Sequence, residues 1–233
     1  AFLNYLMTNN MPKLGSIILT PMLNENGKLI GDFTIAKASE NRFLIFGSLS
    51  ATKYHMRWFE KHSKFYKSLK IKRFDMTLHG LSIAGPNSRK VLQKLVDEDI
   101  SNSKFQFMSF REMDVNGAPC MINRLSYSGD LGYEIWMAPE YQRKVYRGIK
   151  KQGAEFNIKD FGMRALLSMR LEKNFPSWFA ELRPIYGPYE SRMERFIKIN
   201  KPKFIGQKAA KQELLHGPKI SRTSFIIDAD TSD

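Results

Sequence analysis

The alternation of apolar and polar residues predicts three strands and one helix in the first third of the chain. Gly15–Met22 is predicted to be a strand, and the turn "NENGK" that follows it has Asn-Gly at its centre. Leu29–Ala38 is predicted to return as a second strand and Phe43–Gly47 as a third. Across Ser50–Tyr66 the apolar residues recur at helical spacing, which predicts a helix.

A second set of strands is predicted in the middle of the chain. Two candidates are "KIKRFDM" and "LHGLSIAG", after which Pro86 stands where a helix running to Leu95 would begin. Another hairpin joins "FREMDV" to "APCMINRLSY" through Asn116-Gly117. The returning strand is then expected to pair with "YEIWM" across the short loop "SGDLG".

The last third alternates predicted helices with irregular segments. Helices are predicted over Pro139–Gln152 and Ile158–Lys173, followed by a loop with several prolines. Further on, "RFIKIN" resembles a short strand, "GQKAAKQELL" a short helix, and "RTSFIIDADTSD" a final strand. Short strands joined by hairpins and mixed with helices predict an α+β fold with mixed or antiparallel sheets.

The order of these predicted elements also predicts how the chain is divided into domains. Residues 1–75 and 76–203 are expected to form two α+β subdomains, and residues 204–233 a linker helix and the first strand of a further domain. The start, "AFLNYLMTNN", has no initiator Met and no signal-peptide pattern, so a piece of a longer polypeptide is expected.

Composition limits the classes of function. The chain has 233 residues, one cysteine (Cys120) and four histidines without zinc-site spacing, which is typical of a reducing compartment. It contains no apolar run long enough to span a membrane. The net charge of +14 attracts polyanions, but we interpret it as a lysine-rich solvated surface, so nucleic acid is not an expected partner. Phosphate-loop, dinucleotide, serine-hydrolase and zinc-protease signatures are absent from the sequence.

Three carboxylates stand where a scaffold does not require them. Asp32 interrupts the predicted strand "LIGDFTIA" and Glu134 interrupts "YEIWM". Glu190 lies in the proline-rich loop, directly after Pro188 and Tyr189. Aspartate is depleted in strands. By pleat alternation, Glu134 is expected on the sheet face opposite Tyr133 and Ile135. Each acid taken alone could equally be a strand residue that points to water.

Tyr127 and Glu134 together predict a more specific site. If the strands pair across "SGDLG", these two residues face each other near the end of the ladder. Tyrosine offers a flat apolar ring with a hydroxyl, and an ionised glutamate accepts hydrogen bonds through two oxygens. A flat heterocycle with two adjacent N–H donors on one edge fits both, and the amino-pyrimidinone edge of a pterin is such a group.

Five collinear motifs resemble the aminomethyltransferase (glycine-cleavage T-protein) superfamily, in particular the folate-binding C-terminal module of dimethylglycine and sarcosine dehydrogenases. That module typically shows a "LNxxGGIxxDxTV" hairpin, "GPNSRxLL", "YxGELGWELYxP", "SLRLEKGY" and "FIGxEAL". The corresponding runs here are "MLNENGKLIGDFTI", "GPNSRKVLQKL", "YSGDLGYEIWM", "ALLSMRLEKNF" and "KFIGQKA". The fold that the resemblance implies has a third, β-rich domain after these motifs.

The resemblance also implies roles for individual residues. Asp32 aligns with the active-site aspartate near the folate nitrogens, and Tyr127 and Glu134 align with pterin-contacting residues. Arg170 aligns with the arginine of "RLEKG" and Glu190 with the glutamate of "PYEAGL", as further cofactor-binding residues. The implied activity transfers a one-carbon unit from a methylated amine to tetrahydrofolate, giving 5,10-methylenetetrahydrofolate. A flavin-dependent dehydrogenase domain or subunit would be its partner, in the cytoplasm or, in a eukaryote, the mitochondrial matrix.

Departures from the family pattern leave alternatives open. Phe179 stands where the dehydrogenases have the glycine of "SWGTDM", and Ser191-Arg192 stands in place of Ala-Gly in "PYEAGL". The donor could be a sulfonium compound instead of an amine. A non-catalytic folate-binding relative that supports iron–sulfur or tRNA-modification chemistry is a second alternative, although Phe204 lies near the place of the cysteine in its "KGCYxGQE" motif. A basic RNA-binding module is a third.

Overall fold

The computed structural model describes residues 1–228, within which the chain forms six α-helices and seven β-strands. The helices are α1 (Phe2–Leu6), α2 (Thr52–Ser63), α3 (Ser88–Gln93), α4 (Pro139–Gly153), α5 (Met163–Glu172) and α6 (Gln207–His216). The strands are β1 (Ile17–Leu23), β2 (Leu29–Lys37), β3 (Phe43–Phe46), β4 (His79–Ala84), β5 (Phe110–Asp114), β6 (Pro119–Asn123) and β7 (Gly132–Met137).

The strands form two sheets, and the predicted α+β class is confirmed. One sheet has the order β1-β2-β3, and the other has the order β4-β7-β6-β5. The β2–β3 pair and all three pairs of the second sheet are antiparallel. Hairpins with short loops favour this arrangement, because adjacent antiparallel strands need no long crossover.

Three predicted strands are wrong in the described part of the chain. The run "KIKRFDM" is largely exposed and leads into a short 3-10 helix, Asp75–Thr77. The run "RFIKIN" begins within a second 3-10 helix, Glu194–Phe196, whose backbone bonds are local. In "RTSFIIDADTSD", residues 222–228 form no strand, and the remainder lies outside the described residues. An alternating pattern makes a strand only where a neighbouring strand accepts its backbone hydrogen bonds.

The described chain separates into two compact units, and both are discontinuous in sequence. The first contains residues 1–10, 20–33 and the chain from Pro176 onward; the second contains residues 11–19 and 34–175. Sequence analysis predicted contiguous segments, because a linear pattern does not show that residues 20–33 return to pack with the C-terminal third. Within the first unit, the Leu29 N–H donates to the Tyr186 carbonyl at 2.9 Å, which is one such return contact.

The core of the second unit lies on one face of its four-stranded sheet. Ile122, Tyr133 and Ile135 are fully buried there, and α3 and α4 contribute Leu92 and Val145 to the same cluster. Each large apolar side chain removed from water contributes about 1.5–3 kcal/mol before conformational entropy is subtracted. This one-sided core requires strict alternation on β7, because a one-residue slip would reverse every side chain.

A close backbone approach ties the last helix of the first unit to its β1–β2 turn. Gly206 precedes α6 with a φ of 80°, a left-handed conformation that glycine adopts without strain. A Cβ atom at Gly206 would overlap the Asn24 carbonyl oxygen and lie 2.9 Å from the Leu23 Cβ atom. The glycine of "FIGQKA" is therefore required by both its backbone conformation and its neighbours.

Buried Lys201 stabilises the same unit through hydrogen bonds to the N-terminal segment. Its ammonium group donates to the Met7 carbonyl at 3.0 Å and the Asn9 carbonyl at 2.7 Å. Burial lowers the pKa of Lys201 to about 8. A lysine that donates to two backbone oxygens crosslinks the N-terminal segment to the chain after residue 200.

We expect Gly206→Ala to lower the free energy of unfolding by about 3 kcal/mol. This is the sum of the energy cost of alanine in a left-handed conformation and the cost of relieving the overlap of its Cβ with neighbouring atoms. Gly15→Ala is the control, since Gly15 has a φ of 71° and its added Cβ would meet the Phe110 carbonyl oxygen at 3.7 Å, an ordinary contact distance. The control should cost about 1 kcal/mol. Urea unfolding of both variants measures the difference, and equal losses would show that close approach contributes nothing.

Candidate functional site

Glu134 lies on the sheet face opposite the main core of the second unit. Its strand neighbours Tyr133 and Ile135 are buried in that core, while Glu134 is only partly exposed on the other face. The predicted side of the strand is therefore confirmed. Across the ladder, Glu134 pairs with Ser82 of β4 and Asn123 of β6.

The Glu134 carboxylate is held by amide donors in a poorly hydrated position. The side-chain amide of Asn123 donates to Oε2 of Glu134 at 3.3 Å. Burial raises the pKa of Glu134, and the amide of Asn123 and the indole of Trp136 partly oppose that rise. The Trp136 indole N–H is close enough to affect this pKa, but it is buried without a hydrogen-bond partner among the described residues.

Apolar side chains cover the same face and account for this burial. The Trp136 ring lies 5.1 Å from the Phe46 ring, centroid to centroid, at a tilt of 37°. A Cβ atom at Gly80 would lie 2.8 Å from the Trp136 ring, so Gly80 leaves room for the indole across β4. Phe46 also packs against a small buried cluster formed by Ile17, Ala36, Leu44 and Phe110. The carboxylate therefore sits beside an apolar layer instead of bulk water.

Tyr127 lies in the loop between β6 and β7, not on the ladder. Because β6 ends at Asn123 and β7 begins at Gly132, the residue that pairs with Glu134 is Asn123. The expected cross-strand pairing of Tyr127 with Glu134 is therefore wrong. Instead, the Tyr127 ring stacks on Phe175, with centroids 6.4 Å apart and planes 15° apart.

Arg170 holds the segment that carries Phe175. It is buried at the end of α5, and its Nη1 donates to the Phe175 carbonyl at 3.0 Å. The backbone N–H of Phe175 donates in return to the Arg170 carbonyl at 2.9 Å. The arginine thus fixes the position of the ring on which Tyr127 stacks.

Asp32 lies on β2, in the part of the strand that belongs to the first unit. Burial raises the pKa of its carboxyl group to about 6, and a hydrogen bond from its own backbone N–H acts in the opposite direction. A carboxylate with a pKa near 6 exchanges protons readily close to neutral pH, which is the property required of a general base.

Glu190 is engaged in contacts within the first unit. Its Oε2 accepts a hydrogen bond from the Gly187 N–H at 2.7 Å and one from Lys28 at 3.2 Å. Partial burial alone would raise the pKa of Glu190, but these two donors lower it overall. The Glu213 carboxylate in turn accepts hydrogen bonds from the backbone N–H groups of Tyr189 and Glu190, at 3.0 and 2.8 Å. The Oε2 atom of Glu190 therefore stabilises the fold of the first unit through its contacts with Gly187 and Lys28.

The predicted site residues fall into the two units. Tyr127, Glu134 and Arg170 belong to the second unit, and Asp32 and Glu190 to the first. Sequence reasoning missed Asn123, Trp136 and Phe175. An asparagine inside the otherwise apolar run "PCMIN" was the signal that could have pointed to Asn123.

Two cavities within the second unit contain none of the five predicted residues. One, of about 240 Å³, is lined by residues of the β6–β7 loop and Phe107; the other, of about 310 Å³, lies beside the start of α3. Neither brings together a carboxylate and an aromatic hydroxyl, so size alone does not mark the candidate site. In residues 1–228, no group of three metal-ligating side chains occurs, and no helix has the length and apolarity to cross a membrane.

Comparison with known proteins agrees with the motifs. The family described as the GCVT N-terminal domain matches residues 1–201. The chain is 34% identical to the mitochondrial dimethylglycine dehydrogenase of Homo sapiens over 233 residues, which are 99% of this chain and 27% of that protein. It is 30% identical to an aminomethyltransferase of Caldanaerobacter subterraneus subsp. tengcongensis over 226 residues, or 96% of this chain and 60% of that one.

A solved structure shows the same fold at lower sequence identity. The glycine cleavage system aminomethyltransferase T of Bartonella henselae superimposes with a TM-score of 0.82 at 22% identity, over 93% of this chain and 58% of that one. The chain therefore spans less than two thirds of these relatives. With a family match over residues 1–201 and the expected motifs in order, the chain belongs to the GCVT N-terminal domain family.

Proposed function

We propose that this chain binds tetrahydrofolate and transfers a one-carbon unit from an N-methylated amine to it, forming 5,10-methylenetetrahydrofolate. Membership of the GCVT N-terminal domain family supports this proposal, as does identity to proteins named aminomethyltransferase and dimethylglycine dehydrogenase. The observation that carries it is Glu134, a strand carboxylate whose pKa is raised by burial and whose Oε2 accepts a hydrogen bond from Asn123.

Glu134 is the residue that recognises the pterin in this proposal. Asn123 supplies one N–H to Oε2, and a carboxylate has about four lone-pair sites, so acceptor capacity is left for a ligand. The amino-pyrimidinone edge of a pterin presents two adjacent N–H donors that match it. Charge-assisted hydrogen bonds of this kind are strong in a poorly hydrated site.

Tyr127 supplies a flat aromatic surface for the ligand in this proposal. Its ring is held by the stack on Phe175, and Phe175 is fixed by Arg170, so the ring is oriented before a ligand binds. Pre-ordered aromatic rings reduce the entropy lost on binding. Arg170 acts here as a positioning residue, and its contact with Phe175 supports that role.

Asp32 is the catalytic residue in this proposal. The folate N10 nitrogen attacks an electrophilic iminium or formaldehyde carbon and then loses a proton, which a nearby carboxylate accepts. The folate N5 nitrogen then bonds to the same carbon as the demethylated amine, or water in the case of formaldehyde, takes up a proton and leaves, which closes 5,10-methylenetetrahydrofolate. The pKa of about 6 leaves Asp32 ionised at neutral pH yet basic enough to take that proton. The negative charge also stabilises the cationic intermediate.

Producing the electrophile requires oxidation of the methylated amine, for which we assign a flavin-dependent dehydrogenase domain or subunit as partner. The human relative that spans this chain is named a dehydrogenase, and the chain covers 27% of it. A sulfonium donor and a non-catalytic folate-binding role are the alternatives, and they differ from the main proposal in measurable turnover.

The test is calorimetric titration of the protein with tetrahydrofolate, followed by a panel of methylated amines and sulfonium compounds with a flavin dehydrogenase supplied. We expect binding, and 5,10-methylenetetrahydrofolate from an amine. Turnover with sulfonium donors alone, or binding without any turnover, would select one of the alternatives. Absence of binding to any reduced folate would reject all three.

We expect Asp32→Asn to keep folate affinity within twofold and to slow single-turnover formation of 5,10-methylenetetrahydrofolate by about 10²–10⁴-fold, the usual contribution of a general base. Asp114→Asn, at an exposed position on β5, is the matched control and should keep the wild-type rate. Equal rates for Asp32→Asn and wild type would remove Asp32 from the reaction.

The same substitution has a pH signature in stability. The pKa of Asp32 in the folded protein, about 6, lies above its pKa in the unfolded chain. The contribution of Asp32 to stability is therefore greatest at low pH, where Asp32 is protonated, and it is lost as the pH rises through 6. Asp32→Asn should therefore stabilise the fold by about 3 kcal/mol at pH 8 and by much less at pH 4. Urea unfolding at the two pH values measures this difference.

Glu134→Gln should weaken tetrahydrofolate binding by about 1.5–3 kcal/mol, because it removes a charged acceptor while keeping the side-chain shape. Glu112→Gln is the control on the same sheet, since Glu112 is exposed and pairs only with the Arg42 guanidinium at 2.9 Å. Calorimetry at pH 7.5 gives both affinities. If the two variants bind folate equally well, Glu134 does not contact the ligand.

A further inference from the structure

Asn123 is a fully buried polar residue at the end of β6, directly across the ladder from Glu134. The residue before it in β6, Ile122, is a fully buried apolar residue whose side chain lies on the opposite face of the strand. A buried amide in a strand must find hydrogen-bond partners or lose the solvation energy of its polar atoms.

The Asn123 amide satisfies only part of this requirement. Its N–H donates to Glu134 Oε2, whereas its Oδ1 atom accepts no hydrogen bond from the described residues. An unsatisfied buried acceptor costs about 1–3 kcal/mol. Within residues 1–228, the side-chain amide of Asn123 forms one hydrogen bond, to the Glu134 carboxylate.

A scaffold that needed only stability would place an apolar side chain here. Replacing both members of a buried polar pair with apolar groups of similar shape is often neutral or stabilising. Groups retained at a cost in stability are typical of binding and catalytic sites. The geometry of the Asn123–Glu134 pair therefore has a functional explanation and lacks a structural one.

We propose that Asn123 is a positioning residue, which keeps the Glu134 carboxylate ionised and turned toward the two N–H donors of the folate edge. This inference rests on the proposed function and extends it to a residue that does not itself touch the ligand. Trp136 assists from the same face. Its buried indole N–H has no other hydrogen-bond partner among the described residues, and its proximity opposes the rise in the pKa of Glu134.

The proposal makes the stability of the variant depend on pH. Asn123→Leu removes the donor that favours the ionised form of Glu134, so the variant should lose stability where Glu134 is ionised and lose little where Glu134 is protonated. The residues paired with Glu134, Ser82 and Asn123, carry no ionisable group, and no ionic side chain of the described chain contributes to the Glu134 pKa shift. The pH at which Glu134 becomes protonated should therefore rise in the variant.

The experiment is a double-mutant cycle of Asn123→Leu and Glu134→Gln in the protein, with tetrahydrofolate affinity and urea stability measured from pH 5 to 8. Asn123→Val is run in parallel, so that the result does not depend on leucine fitting the site. We expect Asn123→Leu to weaken folate binding at least fivefold at pH 7, to shift the midpoint of its pH profile upward, and to lower stability more at pH 8 than at pH 5. In the Glu134→Gln background the same substitution should change affinity by less than twofold.

A ligand-free measurement separates this inference from the proposed function. Carbon-13 NMR titration of Glu134 should show a higher pKa in Asn123→Leu and Asn123→Val than in wild type, whether or not folate binds. If wild type binds no reduced folate, the proposed function fails and with it the ligand-directed role of Asn123. If folate binds but the Glu134 titration is unchanged, or affinity falls equally in the Glu134→Gln background, Asn123 is not a positioning residue.

Discussion

A carboxylate removed from water on the face of an antiparallel sheet is the constraint around which the candidate site is organised. Burial raises the pKa of Glu134, and only nearby N–H donors offset the cost of keeping its charge. The surrounding residues follow from that requirement: an amide on the paired strand, an indole two residues along β7, and a glycine at position 80 that makes space for the indole ring. A change in any of these would be felt first as a change in the charge of Glu134.

The sequence predicted what depends on periodicity. Strict alternation on β7 placed Glu134 on the face opposite Tyr133, and that placement is correct because a strand has only two faces. Periodicity failed where a strand needed a partner, as in "RFIKIN", because pairing is decided by distant segments. It also misplaced Tyr127, since the pattern did not show that β6 would stop at Asn123 and leave residues 124–131 as a loop.

The backbone keeps its course at positions where the side chain departs from the family pattern. Asn174, Phe179 and Arg192 stand where the related motifs have glycine, and their φ angles are 56°, 67° and 58°. Left-handed conformations cost a residue with a side chain about 1–2 kcal/mol, and asparagine less. The chain retains the turns after α5 and after Glu190 at this cost, which implies that the course of the main chain there is set by its surroundings and not by local preference.

The discontinuity of the first unit has a consequence for synthesis of the protein on the ribosome. Residues 1–10 and 20–33 are translated before the second unit is complete, whereas the residues from Pro176 onward with which they pack are translated after it. The second unit has its whole sequence available once residue 175 has left the exit tunnel, so it can fold while translation continues. Until the residues from Pro176 onward are translated, the apolar residues of the N-terminal segment, such as Phe2 and Leu6, lack the partners that bury them in the folded protein. A chaperone that binds nascent chains would therefore bind this segment.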